Sequence, residues 1–314
     1  TKKICSIYIY KNYADRKNIL SLLPDNHLLG QLSLIGTHQS MTFSSSDIKL
    51  RKQELNITEQ LNHGVRVFDI SVRIETNYFK IYYQNQYLEA SFNSLVYEIN
   101  KFLKKNSQEF VILIINVDHE KKINSENILS PSYCEILNNY LGKYIGGERM
   151  HSKWSFDDKL HSLRGKILLA TYQVTFAECA VWLGARCLMT DKLKFVENSF
   201  LYSHGNYQED NIDYKWKKYM KFVASDLFDY YPCFIYDLSI YDEIHYSQGA
   251  AKYGGFDVNG QCFVPMNYRI DNYCRGDHKS AFNIFIVDYP TQEVIDHING
   301  YNSDYHNPFE IALM

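Results

Sequence analysis

Short apolar runs recur along this chain, most of them closing on a polar residue, and helix-like stretches separate them. Leu32–Ile35, Val65–Val72, Phe79–Tyr83, Phe110–Val117, Lys166–Thr171, Ala185–Met189, Phe234–Leu238 and Asn283–Val287 are the predicted strands. Several are apolar at successive rather than alternate positions, the pattern of parallel strands covered on both faces. Ser91–Lys104 predicts a helix, because Phe92, Leu95, Val96, Ile99, Phe102 and Leu103 fall at spacings that share one helical face. Ser132–Tyr144 and Asp213–Leu227 read the same way, as does Thr291–Ile298 behind a capping Thr291. Strands alternating with helices predict an α/β fold. About eight strands fit a distorted TIM-type (β/α) barrel better than an open doubly wound sheet, whose Gly-rich phosphate turn has no counterpart here. Polar residues at the ends of separate strands, His38, Asp69, Asp118 and Asp288, would then share the face on which such barrels carry their sites.

Composition narrows the field. A chain of 314 residues has room for one large domain or two. The net charge of −3 argues against a nucleic-acid partner and gives no broad attraction to anionic lipid. No run approaches the length of a membrane span, and Thr1–Tyr10 lacks an apolar core of signal-peptide length. Cys5, Cys134, Cys179, Cys187, Cys233, Cys262 and Cys274 show neither a C-x-x-C pair nor zinc spacing. The expectation is therefore reduced, mostly buried thiols in an intracellular protein, with the odd cysteine open to intermolecular pairing under oxidising conditions. Tyrosine is the excess, with 27 copies against 18 Phe and 3 Trp, and it is a residue type enriched where proteins contact one another.

The most specific signal is a pair of segments, Leu34-Ile35-Gly36-Thr37-His38-Gln39-Ser40 and Gly64-Val65-Arg66-Val67-Phe68-Asp69-Ile70. In order and spacing they resemble the opening strands of the phosphatidylinositol-specific phospholipase C X-domain, most closely its metal-independent bacterial form. The resemblance is continuous over residues 30–120 and returns at Arg164–Leu169, Met189–Lys192 and Ile286–Tyr289. It implies a single barrel over residues 1–314, with 1–25 as an N-terminal extension and 200–280 as divergent or inserted elements.

Chemistry of that kind needs a histidine base, a carboxylate to orient it, a cation for the phosphoryl oxygens and an acid for the leaving glycerol oxygen. By the resemblance, His38 stands at the base, Asp288 at its carboxylate partner and Asp69 at an acidic position of the motif. The remaining positions depart from the family. Gln39 stands where bacterial members carry an aspartate, and Ser71 where they carry an arginine. Aligning Tyr82–Tyr87 with the family's His-His-Gly segment puts Tyr83 at the general-acid histidine; Asn116 falls at a usual lysine and Tyr172 at an inositol-contacting arginine. A hydroxyl cannot supply the fixed charge of a guanidinium, and a phenol is a mismatched acid near neutral pH. Arg73 lies one pleat beyond Ser71 on the same strand face, about 6–7 Å away, as a stand-in cation.

The calcium-dependent form of the family is a poor match, because Asp69 and Gln39 alone make too few oxygen ligands. Asp118-His119-Glu120 reads as a solvated loop cluster, so no metal and no cofactor are expected. The pattern predicts a catalytically inactive phospholipase-like protein with a binding or self-assembling structural role, such as a storage or occlusion-type particle. The alternative is a divergent phosphodiesterase using His38 as base with Arg73 or a lysine from elsewhere. A third reading is an inositol- or carbohydrate-binding module in which Tyr82, Tyr83, Tyr87 and Tyr172 stack on a ring. Expected partners are further copies of the chain and an inositol or phospholipid headgroup. A purely structural reason for Gly36-Thr37-His38 is that the turn's hydrogen bonds stabilise the barrel.

Overall fold

The apolar runs become strands buried on both faces, as their composition requires. The computed structural model describes residues 5–118, 132–143, 147–190, 195–196, 199–200, 212–224, 230–240, 247–256, 260–274 and 281–302. In chain order the strands are β1 (Ser33–Thr37), β2 (Val67–Glu75), β3 (Tyr78–Tyr83), β4 (Gln86–Ser91), β5 (Val111–Val117), β6 (Met150–His151), β7 (Ile167–Thr171), β8 (Val181–Trp182) and β9 (Leu188–Met189). They continue with β10 (Phe195–Val196), β11 (Ser199–Phe200), β12 (Cys233–Asp237), β13 (Gly255–Phe256), β14 (Cys262–Phe263) and β15 (Phe282–Val287). Eight of them form one curled parallel sheet, a half-barrel in the order β6-β7-β5-β2-β1-β15-β12-β9. Among the described residues no pairing joins the two ends of that order, so the predicted barrel is open along one seam.

The helices are α1 (Ile57–Asn62), α2 (Phe92–Lys105), α3 (Tyr133–Lys143), α4 (Leu160–Leu163), α5 (Leu183–Arg186), α6 (Ile212–Val223), α7 (Met266–Tyr273) and α8 (Gln292–Gly300). Ser91 caps α2 by accepting the amide of Ser94, and Thr291 caps α8 by accepting that of Val294. The end of the predicted Asp213–Leu227 helix, with residues 225–227, lies outside the described residues, as do His119, Glu120, Asp191 and Lys192.

The pleat sorts strand side chains into two cores. Ile35, Phe68, Ile70, Leu113, Ile115 and Phe285 pack outward against Leu61, Leu95, Ile99, Leu137, Val294 and Ile298 of the helices. Leu34, Val67, Ile112, Ile114, Leu168, Ala170, Ile235, Ile284 and Ile286 fill the inside. Gly36 is required by this packing, since a Cβ there would stand 2.7 Å from Ile286 and 2.8 Å from Val67. A buried ion pair closes the opposite end of the barrel. Arg66 Nε donates to Glu109 at 2.8 Å with both side chains fully buried, and Glu109 also accepts the amide of Ser21 at 2.8 Å. The pair thereby fastens the chain before β1 to the sheet.

Three expectations are corrected. Phe79–Tyr83 is a strand, but it pairs antiparallel with β2 and turns back through β4 instead of joining the parallel order. Ala185–Met189 contributes only Leu188–Met189, because Leu183–Arg186 coils into α5. The cysteines are not free thiols: Cys5–Cys262, Cys134–Cys179 and Cys187–Cys233 are disulfides, the fold having brought their Cα atoms to 5.4, 5.6 and 4.5 Å. The odd residue, Cys274, is buried with its sulfur 2.8 Å from the Tyr219 hydroxyl, where no second molecule reaches it. No helix among the described residues is long and apolar enough to cross a membrane.

Candidate active site

The inner face of each strand changes from apolar to polar at its carboxyl end. Following every second residue upward gives Leu34, Gly36, His38 on β1 and beyond it, Val67, Asp69, Ser71 on β2, and Ile112, Ile114, Asn116 on β5. The same step runs Leu168, Ala170, Tyr172 from β7, Ile235, Asp237 on β12, and Ile284, Ile286, Asp288 from β15. The pleat therefore delivers these polar groups to one mouth.

On the β1 and β15 side, His38 Nδ1 lies 3.0 Å from Asp288 Oδ1. The second oxygen of Asp288 accepts the amide of Ile240 at 2.9 Å, so the buried carboxylate is held at both ends. Gln53 secures the backbone beneath, donating to the carbonyls of His38 at 2.8 Å and Val287 at 3.1 Å. Burial acts to lower the His38 pKa, but Asp288 overrides it by charge and hydrogen bond, aided by the fields of Asp237 and Asp69. The net shift is upward, so the imidazole holds its proton above the usual histidine range. Its side chain keeps 19% of its surface accessible.

On the β2, β5 and β7 side, amides and a hydroxyl are arranged around one carboxyl, that of Asp69. Gln39 Nε2 donates to Ser71 Oγ at 2.9 Å, Asn116 Nδ2 donates to Asp69 Oδ1 at 2.9 Å, and Asn116 Oδ1 accepts the amide of Tyr172 at 3.1 Å. Burial pushes the Asp69 carboxyl up to about 6, despite the lowering effects of His38, the Gln39 amide and Asn116. Tyr83 is buried edge-on to His38, with ring centroids 5.9 Å apart. Arg73 turns away to Asp118, with Nη2 2.6 Å from Oδ2, and its guanidinium lies 4.7 Å over the Tyr82 ring. The same guanidinium also donates to Asn85 in the β3–β4 turn.

Residues 33–173 match the model of the family described as phosphatidylinositol-specific phospholipase C, X domain. The protein is phospholipase C X-domain-like. A 1-phosphatidylinositol phosphodiesterase of Listeria monocytogenes is 29% identical to it over 166 residues, 51% of this chain and 50% of that protein. The chain thus spans about half the length of the curated relative it matches. The solved phosphatidylinositol-specific phospholipase C of Listeria monocytogenes superposes with a TM-score of 0.61 at 20% identity, covering 93% of this chain and all of that one. A variant of the Staphylococcus aureus phosphatidylinositol-specific phospholipase C gives 0.63 at 18% identity, covering 93% and 98%. These two likenesses establish the fold.

The X-domain-like mouth thus gathers His38, Asp69 and Asp288 together with Gln39, Ser71, Tyr83, Asn116 and Tyr172. Tyr82 and Tyr87 are not among them. They sit on the other face of the β3–β4 hairpin, 5.5 Å from one another, under Arg73 and Lys80 respectively. Two charged residues went unnoticed in the sequence. Asp237 ends β12 on the inner face, and Lys215 Nζ reaches it from α6 at 3.3 Å while also contacting Ser239. Asp237 had a signal, since it closes an apolar strand as Asp288 does. Lys215 had none, because its reach from a helix to a strand end exists only in three dimensions.

Proposed function

We propose that this protein is a phospholipase-like scaffold that does not cleave phosphatidylinositol and serves instead through binding or self-assembly. One observation carries the reading: Gln39 bonds to Ser71, and Asn116 bonds to Asp69, with neutral donors where phosphoryl transfer needs cationic charge. A phosphoryl group placed there meets no guanidinium, and Tyr83 beside His38 is a poor acid for the departing alkoxide. Self-association draws support from tyrosines left at the surface, among them Tyr97 at 51%, Tyr230 at 76% and Tyr273 at 55% exposure. The three disulfides support a working place where cross-links persist, an oxidising compartment, in preference to the intracellular one read from the sequence. The test is incubation of purified protein with phosphatidylinositol vesicles, with His38→Ala alongside. Product formation at the level of the His38→Ala control is the expected result. Sedimentation velocity over a wide concentration range addresses assembly, and a monomer throughout would remove that part.

A second reading has its own support. The His38–Asp288 pair is intact at 3.0 Å, and Lys215 brings an ammonium to the rim beside Asp237. A divergent phosphodiesterase would use that pair as base with Lys215 as cation. Turnover abolished by both His38→Ala and Lys215→Met would establish it.

A further inference from the structure

On the far side of Tyr172 from His38, the β7 edge of the half-barrel holds a groove of about 640 Å³. It exists because the outer edge of β7 is only partly paired. β6 covers Ile167 and Leu168, β8 covers Ala170 and Thr171, and the indole N–H of Trp154 caps the intervening Leu169 carbonyl at 2.9 Å. Among the described residues, β7 itself is thus left no main-chain edge for an extended peptide to pair with. What faces the groove is side chain: Trp182, with Ser152, Ser155, Lys153, Glu178 and Arg186 around it.

Three features make this a prepared site. Its walls are cross-linked, since Cys179 lies between the lining residues Glu178 and Ala180 and bonds to Cys134, while Cys187 directly follows the lining Arg186 and bonds to Cys233. Rigid walls reduce the ordering cost of binding. Trp182 is locked: its indole N–H donates to the Tyr172 carbonyl at 3.2 Å, and Gly184 is packed so closely that a Cβ would stand 2.1 Å from that same oxygen and 2.8 Å from the indole nitrogen. Finally, among the described residues no hydrogen bond or ion pair engages the side chains of Lys153, Glu178 or Arg186.

We propose that this groove binds an uncharged oligosaccharide, one sugar ring stacked on Trp182. With its N–H already used, Trp182 offers a ring face, and the electron-rich face of an indole attracts the weakly positive C–H face of a pyranose. Lys153 and Arg186 balance Glu178 and Asp158, so a charged ligand gains no net attraction, whereas hydroxyls find donors, acceptors and the two serines. The volume lies within the range of sites for small ligands.

Calorimetry and tryptophan fluorescence with cellotetraose, mannotetraose and tetra-N-acetylchitotetraose provide the test, with a heparin tetrasaccharide and a capped mixed-charge decapeptide beside them. Saturable binding of at least one neutral glycan is expected. It should weaken about tenfold or more in Trp182→Ala and less in Trp182→Phe, and should persist in His38→Ala, which separates the groove from the mouth. Arg186→Ala, at an exposed position, should also weaken it and guards against a folding defect in the tryptophan variant. The proposal is overturned if none of the three glycans saturates below about 10 mM, if Trp182→Ala binds like the parent, or if the heparin fragment or the peptide binds more tightly.

Discussion

The two sides of the barrel mouth have been treated differently. Along β1 and β15, charge is concentrated: His38 faces Asp288 at 3.0 Å, and Gln53 and the Ile240 amide fix both in place. Along β2 and β5, the Ser71 hydroxyl accepts from the Gln39 amide that reaches over from the end of β1, and the Asn116 amide donates to the Asp69 carboxyl. Both sides are buried and well ordered by hydrogen bonds, so the contrast is not one of damage against integrity. A polar network stabilises a barrel end whether or not it carries the charge that chemistry requires. Packing constrains how many hydrogen bonds are made; catalysis constrains where charge sits.

The strongest way to break the contrast is to rebuild the neutral side. A chain carrying Gln39→Asp, Ser71→Arg and Tyr83→His together should cleave phosphatidylinositol at least about 1,000-fold faster than the parent, given the usual worth of a fixed cation and a matched acid. If vesicle assays show no gain in a folded triple variant, missing charge is not what separates this mouth from a working one. Next in size is a pH effect on Asp69, whose folded value of about 6 exceeds its ordinary 3.8. Its proton is held more tightly in the fold than in the unfolded chain, so it favours folding at low pH. That contribution, about 3 kcal/mol, is lost as pH rises from near 4 through 6. In denaturant titrations across this window, Asp69→Asn should remove that part of the slope. The charged side supplies the matching experiment. Stability from the raised His38 is complete below 6.5 and is lost as pH climbs through its folded value, so Asp288→Asn should shift the imidazole NMR titration downward and erase that loss.

Smaller still is Asn116→Ala, which strips a donor from Asp69 and an acceptor from the Tyr172 amide at a cost of about 1–3 kcal/mol. Smallest is Arg73→Met. Its bond to Asp118 is partly exposed, so the melting curve should move by no more than about 1 kcal/mol equivalent.

The sequence disclosed the charged side more fully than the neutral one. His38 and Asp288 end strands so apolar that only a buried parallel arrangement explains them, and pairing them needed only the order of the sheet. Ser71, Asn116 and Tyr172 were located by register along β2, β5 and β7, but that they bond to each other, or to Gln39 and Asp69, depends on distances across the sheet. β4 went unread because only Leu88 of its six residues is buried, leaving little periodicity at an edge. Arg73 was placed on the correct strand face, yet Asp118 and the β3–β4 turn draw it off, an outcome of tertiary competition for a guanidinium. The disulfides were beyond reach for a related reason: partners 45, 46 and 257 positions apart carry no local signature.

The widest of those bridges has a practical result for anyone handling the material. Cys5 and Cys262 enclose most of the chain in one covalent ring. A protease that clips a single peptide bond inside that ring yields two polypeptides which still travel together, heavier by one water. Electrophoresis without thiol will report such a sample as intact, and only a reduced lane will reveal where it was cut.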